Sequence, residues 1–186
     1  MPGQPICDSF AETAGLDDGW NDPAPELKLD FRSMTSDPEC GVCRSIASAG
    51  ASASLYEDDL WSVRPAEPAG VPGWMLLISK RHVAGPAHFD DREAAVFGLA
   101  LRHFERVLEQ VTGALRIYTA AMGESHPHFH AHMVPRYATM PRDAKAWSVF
   151  DLQRAVGAGE VDVDRAEVAR IADAYRRALA DAPRPW

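Results

Sequence analysis

No apolar stretch in the chain approaches the roughly 20 residues a membrane-spanning helix needs, so a helical membrane protein is not expected. The segment Met1 to Phe10 holds neither a basic cluster nor an apolar run, which argues against a secretory signal and for a cytoplasmic location. Cysteine is scarce: three in 186 residues do not make a disulfide framework. Positive charge is short as well. Nineteen Lys and Arg stand against 27 Asp and Glu, a net charge of −8. A phosphate backbone needs a basic surface, so a nucleic-acid polymer is not the expected partner. A small nucleotide needs only a local group of cations, for which Lys80, Arg81, Arg136, Arg142 and Lys145 are available.

What is present is an ordinary globular composition, 46% hydrophobic and 25% charged, at a length that suits one domain with appendages. Residues 1–36 are rich in Pro, Gly, Asp and Ala without a sustained period. They read as an extended arm with at most a short strand at Leu27–Phe31. Cys40–Ala49 suits a short helix closed by Gly50. Ser54–Tyr56 and Leu60–Val63 suit a hairpin around Glu57-Asp58-Asp59. The continuous apolar run Trp74–Ile78 fits a buried central strand.

Phe97, Leu101, Phe104, Leu108 and Val111 recur at helical spacing, predicting a long helix over Asp90–Val111 that Gly113 stops. Leu115–Ala121 and His128–Arg136 read as two more strands, the second limited by Pro135. Asp164 and Glu167 resemble a capping box opening a last helix, with Val168, Ile171, Ala172, Tyr175 and Leu179 on one stripe. The order implies an α+β fold: an antiparallel sheet of about five strands, a long helix and a C-terminal helix. The expected division is an arm at 1–36, a catalytic domain at 37–140 and a helical tail at 141–186 packed on it. In that tail Trp147 and Phe150 suit core packing better than a lid.

The densest chemistry lies in Ser125-His126-Pro127-His128-Phe129-His130-Ala131-His132, which holds four of the seven histidines. On a strand, side chains alternate between faces, so His128, His130 and His132 would share one surface at about 6.6 Å spacing. Phe129, Ala131 and Met133 would then face a core. Such a strip packs poorly and has weak strand propensity, so its residues are expected to be functional. One reading is a metal centre of the H-x-H kind, with His88, His103 or an acid completing it. The other is nucleophilic catalysis at phosphorus, in which a neutral imidazole attacks in line while its neighbours stabilise the equatorial oxygens.

His128-Phe129-His130-Ala131-His132-Met133-Val134 resembles the His-φ-His-φ-His-φ-φ signature of the histidine-triad (HIT) superfamily. Gly123-Glu124-Ser125 resembles the Gly-Gln-Ser that precedes it there, Leu76–His82 the family's Ile-Pro-Lys-x-His strand, and Leu55–Asp58 its Val-Tyr-Glu-Asp. The resemblance spans roughly residues 38–140. His126-Pro127-His128 also resembles the shorter motif of the uridylyltransferase branch, but Met133-Val134 and the place of Ser125 favour His128, His130 and His132.

The resemblance implies a nucleotide hydrolase or nucleotidyl transferase with a phospho-histidine intermediate on His130. His132 and Ser125 would contact the phosphate, and Gly123 and Glu124 would line the substrate. It also implies a homodimer and, as in zinc-containing bacterial members, a structural zinc held by Cys40, Cys43, His82 and His128. The alternatives are a nucleotide- or partner-binding protein with little catalysis, or a metalloenzyme using the histidine strip. Two positions depart from the pattern. Ala66, followed by Glu67, falls where the family often has an acid for the ribose, and Glu124 replaces Gln. Cys7 is expected to be a free thiol.

Overall fold

The structure is a computed structural model that describes residues 36–48, 54–124, 126–142 and 147–186. The expected strand at Leu27–Phe31, Gly50, Cys7, Ser125 and Lys145 lie outside the described residues.

Helix α1, Gly41–Ser48, leads into the hairpin β1, Tyr56–Glu57, and β2, Trp61–Pro65. Asp58 shapes the hairpin turn, its carboxylate accepting from the backbone N–H groups of Leu60 and Trp61, both at 2.8 Å. Strand β3, Met75–Ser79, follows, then a 3₁₀ turn at Pro86–His88 and helix α2, Asp91–Thr112. The expected helix gains a boundary signal that periodicity does not carry. Asp90 accepts from Glu93 N–H while Glu93 accepts from Asp90 N–H, a full capping box. Gly113 ends it in the left-handed region at φ 63°, where a Cβ would be strained.

Strands β4, Arg116–Ala120, and β5, His130–Arg136, complete a sheet of order β1-β2-β3-β5-β4, antiparallel throughout. The apolar run is indeed central. Helices α3, Ser148–Gly157, and α4, Arg165–Asp181, make up the tail. At the start of α4 only one limb of the expected capping box forms: Asp164 accepts from Glu167 N–H at 3.0 Å, while Glu167 itself is drawn to Arg170 at 2.6 Å.

Alternation divides the core into two. On one face Trp61, Met75, Leu77, Phe129, Ala131 and Met133 pack beneath α2 and the Ile171-Tyr175-Leu179 stripe of α4. The Tyr175 hydroxyl, fully buried, donates to Phe104 O at 2.9 Å and ties the two helices together. On the other face Ala66, Val71, Trp74 and Val134 pack against Val149 and Phe150 of α3. Each fully buried side chain of Val, Leu or Phe size stabilises by about 1.5–3 kcal/mol.

Strand β5 ends at Arg136, as expected, with Pro135 inside it opposite Ile117 and beyond Met133, the last residue paired with β3. One expectation about β5 is corrected: His128 is not in the strand, which begins at His130. The chain turns at His128, whose N–H donates to His126 O at 2.7 Å, after Pro127 has removed a ladder donor.

Candidate active site and metal centre

The C-x-x-C spacing sits across the start of α1. Cys40 caps the first turn, its carbonyl accepting from Arg44 N–H at 3.0 Å, and Cys43 follows three residues on. An i, i+3 pair shares one helix side, so both thiols point the same way. That side faces the turn after β3 and the turn before β5. Cys43 Sγ lies 3.4 Å from His82 Nδ1 and 3.3 Å from His128 Nδ1, and Cys40 Sγ lies 3.6 Å from His128 Nδ1. All four side chains are buried, and their ligating atoms lie within 4.8 Å of one another. Arg64, on β2, holds α1 in place by donating to Ser45 O at 3.0 Å.

A tetrahedral ion with metal–sulfur bonds of about 2.3 Å and metal–nitrogen bonds of about 2.0–2.1 Å needs S···N edges of about 3.5 Å. The observed contacts of 3.3–3.6 Å match that edge, so the donor set fits such an ion. Hydrogen bonding has also prepared the ligands. Ser79 O can only accept, so His128 Nε2 at 2.8 Å must carry the proton, leaving the Nδ1 lone pair toward the thiols. Burial lowers the pKa of His128 and keeps it neutral. Asp37 supports both sides: its N–H donates to Cys43 Sγ at 3.4 Å, and its carboxylate lies 3.8 Å from His82 Nε2. Burial raises the Cys43 thiol above its usual range, with the neighbouring Cys40 acting the same way.

The other two triad histidines carry opposite proton assignments. His130 Nδ1 donates to His128 O at 2.8 Å, so a neutral His130 has its lone pair on Nε2, on the ring edge away from that carbonyl. His132 Nδ1 accepts from the indole N–H of Trp74 at 3.0 Å, so a neutral His132 has its proton on Nε2. Burial, with a smaller contribution from His130, depresses His132 to about 4, so it stays neutral at pH 7. The two ring centroids are 5.4 Å apart. Together they present an unprotonated nitrogen beside an N–H donor, which suits attack on phosphorus with stabilisation of the oxygen that gains charge.

Around them the expected residues divide. Gly123 and His130 line one small cavity of about 60 Å³, with Gly85, Pro86 and Met122. Glu124 and His126 are exposed, and Ser125 lies outside the described residues. A second cavity, of about 250 Å³, is lined by Tyr118, Thr119, Ala120, Trp147 and Phe150. It adjoins His132, because Ala120 is the β4 partner of His132 and the Phe150 ring lies 5.2 Å from the imidazole. Phe150 is core, as expected, while Trp147 is 66% exposed.

Of the cations expected to form a phosphate cluster, three are engaged elsewhere. Lys80 pairs with Glu57, Arg81 with Glu93 at 2.6 Å, and Arg136 donates to the carbonyls of Tyr137, Met140 and Pro141. Neither candidate for the ribose acid faces the triad. Ala66 is 2% exposed beneath α3, and Glu67 lines a groove of about 550 Å³ with Arg165 and Val168 of α4. Nor does the H-x-H metal reading gather its ligands. Among the described residues the one cluster of ligating groups is Cys40, Cys43, His82 and His128, without His130 or His132. His103 packs against Trp186 at 5.6 Å. Trp74 was read only as a strand residue. Its partner is 58 positions away in sequence, and no local signal announces the contact.

Residues 49–139 match the family model of the HIT domain. Solved structures with a similar fold include a hypothetical histidine triad nucleotide-binding protein from Sulfolobus tokodaii, 16% identical with a TM-score of 0.57, covering 76% of this chain and 93% of that one. A Hit-like protein involved in cell-cycle regulation from Bartonella henselae is 18% identical with a TM-score of 0.57, covering 78% and 99%. A Zn-bound histidine triad family protein from Mycobacterium smegmatis is 20% identical with a TM-score of 0.57, covering 78% and 98%. No curated protein matches the chain.

Proposed function

The chain carries a domain of the HIT family, and from that premise we propose that it is a nucleotide hydrolase or nucleotidyl transferase acting at an α-phosphate through His130. The observation that carries the reading is the pair of proton assignments: His130 Nδ1–H fixed on His128 O, and His132 Nδ1 occupied by an indole N–H. In the proposed reaction the His130 Nε2 lone pair attacks phosphorus in line, and the bond from phosphorus to the leaving oxygen or nitrogen breaks. The leaving group departs with that electron pair and takes up a proton from solvent. The ring then holds the nucleotidyl group with a positive charge that its Nδ1–H shares with the backbone carbonyl. Water or another hydroxyl acceptor attacks the same phosphorus and releases its proton to solvent, the P–N bond breaks, and its electrons return to Nε2. His132 Nε2–H donates to a phosphoryl oxygen in both steps. By resemblance, Ser125 serves the bridging atom, and Gly123 and Glu124 border the substrate.

Cys40, Cys43, His82 and His128 are proposed to hold a structural zinc, as the contact lengths and the Nδ1 lone pair of His128 support. The ion would pin α1 against the turn that leads into β5 and fix the carbonyl of His128 on which His130 leans. Two copies are proposed to associate as a dimer in the cytoplasm. A second reading, a nucleotide- or partner-binding protein with little catalysis, draws on α3, whose Phe150 rests against His132.

Turnover of adenosine 5′-phosphoramidate decides between the two. The wild type is expected to hydrolyse it and His130→Ala to lose at least about 10³-fold in kcat with an unchanged melting temperature. A wild type that binds the compound without turning it over supports the second reading.

A further inference from the structure

Trp74 stands just before β3, a residue the proposed reaction does not need for binding, yet its indole N–H donates to the third histidine at 3.0 Å. Its side chain is 1% exposed. Its backbone is fixed on both sides of the turn, with Trp74 N–H donating to Val71 O at 3.0 Å and Ala66 N–H donating to Trp74 O at 2.9 Å. The ring meets Phe150 edge-on at 5.1 Å and His132 edge-on at 5.7 Å, and His132 meets Phe150 at 5.2 Å. Two aromatic rings thus hold the imidazole.

We infer that Trp74 is a positioning residue whose indole N–H sets the tautomer of His132, fixing its proton on Nε2 so that the side chain acts as a neutral donor toward the reacting phosphoryl group. The argument is one of valence. An indole nitrogen can only donate, so Nδ1 of His132 must accept and cannot hold the proton. The opposite tautomer would set two N–H groups against each other and leave the indole unpaired in an apolar pocket of Val71, Val134, Val149 and Phe150. It would also turn an acceptor toward phosphoryl oxygens that are acceptors themselves. Trp61 shows that such pairing is not automatic here, since its own buried indole nitrogen has no partner among the described residues.

The inference rests on the proposed reaction for its consequence but not for its geometry, and the test separates the two. Trp74 is replaced by 3-benzothienylalanine, in which sulfur stands for the N–H and the shape is kept. Trp74→His, which can supply a ring N–H, serves as the rescue. Nitrogen-detected NMR of His132 is expected to report one Nε2–H tautomer in the wild type, a mixture in the benzothienyl protein and partial recovery in Trp74→His. For adenosine 5′-phosphoramidate, kcat is expected to fall by about tenfold in the benzothienyl protein while KM moves less than about threefold. A benzothienyl protein that retains a single Nε2–H tautomer overturns the inference, as does a mixed tautomer with unchanged kcat. If the wild type turns over no substrate, the proposed reaction fails while the tautomer readout still decides whether Trp74 sets the proton.

Discussion

Three imidazoles two residues apart carry two different proton assignments, Nε2–H on His128 and His132 and Nδ1–H on His130, and two of the three are set by partners outside the motif. Ser79 O takes the Nε2 proton of His128, the carbonyl of His128 takes the Nδ1 proton of His130, and the indole of Trp74 fills Nδ1 of His132. The motif was legible because histidine at alternate positions has no packing rationale. The tautomers of His128 and His132 were not, because they depend on a carbonyl 49 residues away and an indole 58 residues away. Cys40 and Cys43 were legible as a pair from spacing alone, whereas their joining with His82 and His128 needed the family resemblance. At this scale the metal claim is tested by composition. Purified wild type is expected to hold about one zinc per chain by elemental analysis, and Cys43→Ser to lose it with at least about 2 kcal/mol of stability. Zinc-free, freshly prepared wild type would remove the claim.

Helix α3 is the element that most changes the histidine face. It lies across Trp74 and Val134, bringing Phe150 onto His132 and burying Ala66, where a ribose-binding acid was looked for. Its approach depends on Gly70, where a Cβ would stand 2.7 Å from Cα of Gln153. Gly70→Ala is therefore expected to destabilise by about 1–3 kcal/mol in chemical denaturation, since the clash is with helix backbone. Gly98 provides the contrast: it lies in α2, where a Cβ would meet nothing within 4 Å. Gly98→Ala is expected to stabilise by about 0.5–1 kcal/mol. Equal effects at the two sites would refute the placement of α3.

Helix α2 was legible because periodicity and Gly113 agree, while α3 carries no comparable cap. Its flank, Trp147, offers no side-chain acceptor to the N–H groups of the helix start. The start of β5 was missed because His128, just before it, answers to the cysteine cluster rather than to the sheet.

Across the whole molecule, one face of the sheet holds the main core and the other carries a smaller core beside the histidines to which the proposed chemistry is assigned. Helices α2 and α4 close the first, and the C-terminal segment reaches back to the hairpin, where Trp186 donates from its indole to Asp58 at 3.2 Å. The second face is divided along β5 into a cysteine-histidine cluster, an open His130 and an enclosed His132. This division follows from alternation in Phe129-His130-Ala131-His132-Met133, which sends Phe129, Ala131 and Met133 into the main core. What the sequence could not convey is how α3 narrows the open part, since that depends on packing between segments far apart in the chain.

The central claim is that His130 makes a covalent bond to phosphorus. Its most direct measurement is rapid mixing of wild type with adenosine 5′-phosphoramidate, quenching in base, and mass mapping of the protein. The account predicts an adenylyl group on His130, absent in His130→Ala. An adenylyl group on His128 or His132, or steady turnover with no adduct on any histidine, would contradict it.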